Sequence, residues 1–104
     1  MPTKFKVEIT ETAEADIASI WEYISQDNIE EATNFIMHLE EQIGTLEQFP
    51  ERCPNIPENR ILGTSYRHLL YGKYRTIFKA TASRVIVMRV IHGARLFDND
   101  ILTG

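Results

Sequence analysis

The chain has 104 residues, 43% hydrophobic and 25% charged, with a formal net charge of −4 and a pI near 5.3. This length suits one domain, residues 1–104, around a single core, and the composition argues against intrinsic disorder. The acidic balance argues against a surface given over wholesale to binding nucleic-acid phosphate.

The N-terminus MPTKFKVEIT lacks an apolar signal core and no apolar run approaches the length of a membrane span, which places the protein in the cytoplasm, away from any membrane. A single cysteine, Cys53, permits neither an internal disulfide nor a thiolate zinc cage. It lies between prolines in a loop with no local base to activate it, and reads as a bystander. Charge is unevenly spread. Nearly all carboxylates fall between Glu8 and Glu58, whereas Arg60 to Arg95 carries Lys and Arg with no Asp or Glu. An acidic helical half and a basic sheet half follow, a polarity suited to an anionic partner.

Along the chain, Lys4 to Thr10 alternates Phe5, Val7 and Ile9 against Lys4, Lys6 and Glu8, the pattern of a half-buried strand. Thr10 or Thr12 can cap a helix whose first turn holds Glu11 and Glu14. Ala13, Ile17, Ile20, Trp21 and Ile24 share one stripe of that helix, which ends near Gln26 to Asn28. A second helix is predicted from Ile29, Ala32, Ile36, Leu39, Ile43 and Leu46, flanked by Phe35 and Phe49 and stopped by Pro50. The short link between them predicts an antiparallel hairpin with Trp21 and Phe35 in the core. The acid pairs Glu30-Glu31 and Glu40-Glu41 diverge around the helix and lack a histidine at a ligand offset, so they mark a solvated face, as does His38.

Glu51 to Thr64, rich in proline, reads as a long irregular connection of the kind that is often mobile or functional. Three strands follow. Tyr66 to Tyr71 and Tyr74 to Ala80 flank a tight turn at Gly72-Lys73, and a reversal at Thr81 to Ser83 leads into Arg84 to Ile91. That last strand is apolar on both faces, so it belongs at the centre of the sheet, beside the first strand. Leu96 to Gly104 reads as a frayed tail. The expected fold is a two-layer α+β domain of order β-α-α-β-β-β, a helical hairpin on a mainly antiparallel four-stranded sheet. Gly-rich phosphate loops, nucleophile elbows and zinc spacings are absent, and no cofactor or metal is implied.

This order, together with Phe49-Pro50, Tyr66-Arg67-His68, Lys73-Tyr74-Arg75-Thr76-Ile77-Phe78 and the ending Arg89-Val90-Ile91-His92-Gly93-Ala94-Arg95, resembles the RelE/ParE superfamily of bacterial type II toxins. The resemblance implies a growth-inhibiting toxin, of the kind linked to plasmid stabilization, held in check by a cognate antitoxin that alone would contact operator DNA. RelE-like members cut mRNA in the ribosomal A site; ParE-like members poison DNA gyrase without nuclease chemistry. Under the RelE-like reading Arg75 and Arg95 would hold phosphate charge, and His68 or His92 would transfer protons. Under either reading Arg67, Arg75, Arg89 and Arg95 are candidate target-binding groups. A two-residue turn at Gly72-Lys73 puts His68 on the same sheet face as Arg75, and Arg67 on the other.

The RelE-like tyrosine beyond Arg95 is missing, since its position falls on Ile101, and the Tyr66 strand lacks a further lysine or arginine. The acidic pI, long hairpin and HGAR ending favour the ParE-like branch. His92 reads equally as a structural residue at the sheet end. A third reading is an interaction module that keeps the fold and antitoxin binding but not toxicity.

Overall fold

The computed structural model describes residues 4–95. The tail expected at Leu96 to Gly104, with Ile101, lies outside the described residues. The order is β1 (Lys6–Ile9), α1 (Glu11–Ser25), α2 (Ile29–Gly44), a short α3 (Asn59–Leu62), β2 (Arg67–Tyr71), β3 (Tyr74–Ala80) and β4 (Arg84–His92), with 3-10 turns at Thr45–Glu47 and Pro50–Arg52. The four strands form one sheet in the order β1-β4-β3-β2; β1 runs parallel to β4 and the other pairs are antiparallel. This is the expected α+β fold, with β4 inside the sheet and β1 beside it.

Thr10 joins sheet to helix. Its hydroxyl caps α1 by accepting the Ala13 N–H at 3.1 Å and lies 3.0 and 3.2 Å from the carbonyls of Val87 and Met88. Those carbonyls belong to a β-bulge: Ile77 pairs with Arg89 but Phe78 pairs with Val87, so Met88 is the extra residue. The bulge changes the alternation of β4. Val85, Val87 and Val90 all pack in the core with the helices, although a regular strand would put Val87 and Val90 on opposite faces.

That core joins Ile17 and Ile20 of α1 and Leu39 and Ile43 of α2 to Phe78 and the β4 valines. Burial of each such side chain contributes about 1.5–3 kcal/mol. The α2 helix is shorter than its apolar repeat suggests. It ends at Gly44, and one 3-10 turn carries Leu46, fully buried, into the core. Gly44 is a poor helix former, and Arg52 holds the tighter path by donating to the carbonyl of Gln48 at 2.7 Å and the hydroxyl of Thr45 at 2.8 Å. Phe49 follows with a left-handed backbone (φ 49°) and is exposed. Trp21 is only half-buried, its indole N–H donating to Thr33 Oγ1 at 3.2 Å.

The proline-rich connection forms a cover over the second face of the sheet. Ile56 N–H donates to the Tyr66 carbonyl (3.0 Å), His68 N–H to the Pro54 carbonyl (3.1 Å), and the Asn59 side chain both donates to the Tyr66 carbonyl (2.8 Å) and accepts its N–H (3.0 Å). Ile56 is thereby buried against Ile77 and Ile91, with Leu62 and Tyr66 beside them. The two-sided apolar character of β4 has its cause here: helices cover one face and this connection covers part of the other.

Candidate functional site

β3 brings Arg75 beneath the connection. The guanidinium is 4% exposed and meets the carboxylate of Glu58 with both of its terminal nitrogens, Nη1 to Oε1 at 3.1 Å and Nη2 to Oε2 closer still. Nη2 also donates to the Arg95 carbonyl at 2.7 Å, and Nη1 lies 3.4 Å from His68 Nδ1. His68 pairs with Ile77 and Leu70 with Arg75 across β2 and β3, so His68 and Arg75 share a face as the two-residue turn implied. Burial, and then the neighbouring Arg75 charge, push the His68 pKa below its ordinary value, with Glu58 opposing. A neutral ring with Nδ1 free to accept from Arg75 fits this setting.

At the end of β4, His92 Nδ1 accepts the Ala94 N–H at 3.1 Å and the Arg95 N–H donates to the His92 carbonyl at 2.9 Å. The His92 ring stands edge-on to Tyr74, with centroids 5.8 Å apart. The Arg95 side chain is exposed while its backbone is tied to Arg75. Of the residues singled out from the sequence, His68, Arg75 and the backbone of Arg95 thus form one polar network, with His92 at its margin.

Arg67 and Arg89 lie elsewhere. Arg67 donates to the carbonyls of Cys53 (2.6 Å) and Glu51 (3.1 Å), bracing the connection. Burial raises the Cys53 thiol pKa, opposed by Arg52 and Arg67, which fits a structural thiol. Arg89 is paired with Asp16 of α1, Nε to Oδ2 at 2.7 Å and Nη2 to Oδ1 at 2.9 Å, and Oδ2 also accepts the Val90 N–H at 2.9 Å. The hydrogen bonds that Arg89 donates to Asp16 hold its pKa above the ordinary value. Arg84 adds an exposed pair with Glu8 at 3.0 Å.

The carboxylate-free segment is therefore not a bare cationic face. Its arginines draw Glu8, Asp16 and Glu58 from the acidic half of the chain. Sequence reasoning missed Glu58 and Asp16. A usable signal did exist, because arginines within apolar strands require carboxylates and this segment has none of its own. Sequence reasoning marks Tyr74 only as a strand and motif residue and Tyr23 not at all; burial, then the nearby Tyr23, raise the Tyr74 pKa. Among the described residues no group of three or more His, Cys, Asp or Glu is placed to hold a metal ion.

The fold and this arginine-carboxylate arrangement describe a small β-α-α-β-β-β domain. Residues 7–97 match the family described as ParE toxin of type II toxin-antitoxin system, parDE. The chain belongs to the ParE toxin family. Among solved structures it is similar to a chain of the chromosomal ParDE toxin-antitoxin system from P. aeruginosa, with a TM-score of 0.67 at 18% identity over 86% of this chain and 96% of that one. No curated protein matches. Among the described residues no helix is long and apolar enough to cross a membrane.

Proposed function

We propose that this ParE-family toxin acts in the cytoplasm by poisoning DNA gyrase, without nuclease chemistry, and that a cognate antitoxin neutralises it. The observation that carries this reading is the burial of Arg75 against Glu58. Metal-free RNA cleavage requires a cation available to the scissile phosphate and a base within reach of the 2′-OH. Of the two arginines that such cleavage would use, the Arg75 guanidinium is occupied by a carboxylate and by the Arg95 carbonyl, which leaves only the exposed Arg95 side chain, and the neighbouring His68 is half-buried. Family membership supports the same branch. The resemblance to a solved toxin-antitoxin system supports an antitoxin partner, through which any contact with operator DNA would pass.

The test is supercoiling and DNA-cleavage activity of purified gyrase with the purified, antitoxin-free chain. Inhibition with trapped cleaved DNA is expected. Growth arrest on induction with unaffected gyrase and A-site-cleaved mRNA would instead place the target at the ribosome, and no arrest at all would leave an antitoxin-binding module.

A further inference from the structure

A second feature lies on the helix side of the sheet end. Between α1 and the end of β4 is a cleft of about 240 Å³. Ile20 and Val90 contribute its apolar lining, Tyr23 and Tyr74 its aromatic surface, and Ser19, His92 and Arg95 its polar groups. We propose that this cleft docks a peptide segment presenting a large apolar side chain next to a carboxylate.

Three observations carry the proposal. The cleft falls below the range of about 300–1,000 Å³ that encloses drug-sized ligands, so it suits a side chain. Tyr23, 70% exposed, supplies the uncovered aromatic surface against which such a group can pack. The polar balance favours an anion. Asp16, the one carboxylate in the lining, already has both oxygens engaged by Arg89 and the Val90 N–H. Arg95 has no carboxylate partner among the described residues. His92 has its Nδ1 occupied by the Ala94 N–H, which leaves Nε2–H as a donor in the neutral ring.

A single carboxylate fits better than a nucleic-acid backbone. Arg95 is the one Lys or Arg in the lining, and the rest of α1 carries Glu11, Glu14 and Glu22 with no Lys or Arg, so a strand of repeated phosphates running on along the helix would meet one cation and then acids. One acidic side chain beside Arg95 avoids that repulsion. The inference does not depend on gyrase being the target.

The experiment titrates the capped peptide Ala-Phe-Asp-Ala into the intact isotope-labelled protein and follows backbone amide resonances. Shifts should concentrate at residues 19–23 and 90–95, and replacing the peptide's Asp by Asn or its Phe by Ala should weaken binding at least fivefold. Arg95→Gln should weaken the Asp peptide to a similar degree. Ser19→Trp, an exposed substitution that fills the cleft, should abolish binding while leaving resonances elsewhere unchanged. The proposal is overturned if those amides do not move at millimolar peptide, if the Asn peptide binds equally well, or if a phosphorylated dithymidine binds there more tightly than the peptide.

Discussion

Glu58 meets the guanidinium of Arg75 with both carboxylate oxygens, and this contact joins the proline-rich connection to the middle of the sheet. The side chains are 9% and 4% exposed, so neither charge has water to fall back on. Removing one partner strands the other. Glu58→Ala should therefore cost about 3–5 kcal/mol of stability, whereas Arg75→Met combined with Glu58→Leu should recover most of that loss. Urea unfolding of the three proteins measures it, and a cost for Glu58→Ala of less than about 1 kcal/mol would mean that the pair is effectively solvated.

His68 adds a pH dependence to the same network. Its folded pKa is depressed below 6.5 by burial and by Arg75. The unfolded chain consequently binds the proton more readily, and stability must fall as pH drops below about 6.5 towards the folded pKa. Protonation also removes the Nδ1 lone pair that faces Arg75 Nη1 at 3.4 Å. Denaturant midpoints between pH 7.5 and 5.5 should drop more for the parent chain than for His68→Gln; parallel profiles would remove His68 as a source of the slope.

Periodicity made the elements legible. The alternation of Phe5, Val7 and Ile9, the stripe ending in Leu46 and the two-sided β4 all correspond to what is built. Placement of the polar groups was less accessible, because it depends on contacts between distant residues. The Asp16–Arg89 pair spans 73 positions and the Glu58–Arg75 pair 17. The bulge at Met88 has no glycine to announce it, and the cover formed by Ile56 and α3 looked like a loop because Pro54 and Pro57 dominate its composition. The turn at Gly72 shows the opposite case. Its φ of 57° was foreseeable from the hairpin spacing, and a Cβ there would lie 3.2 Å from the Phe35 ring.

Asp16 and Arg89 should behave as a coupled unit between α1 and β4. Their side chains are 15% and 12% exposed, and Asp16 also holds the Val90 N–H beyond the bulge. A double-mutant cycle with Asp16→Asn and Arg89→Gln should return a coupling of about 1–3 kcal/mol. The same cycle on Glu8 and Arg84, which are 37% and 52% exposed, should return less than about 1 kcal/mol. Equal couplings would show that burial does not separate the two pairs.

Phe49 offers a route to a more stable protein. Among the described residues it is the one non-glycine residue with positive φ, at 49°, and its side chain is 65% exposed. A left-handed backbone costs an L residue roughly 1–2 kcal/mol, and little buried aromatic surface is lost by removing this ring. Phe49→Gly should remove the strain at some cost in unfolded-state entropy, for a net gain of about 0.5–1 kcal/mol. Phe49→Ala keeps the strain and should give no such gain. Thermal and urea unfolding of the two variants checks the difference, and a glycine variant less stable than the alanine one would show that the backbone here is not under strain.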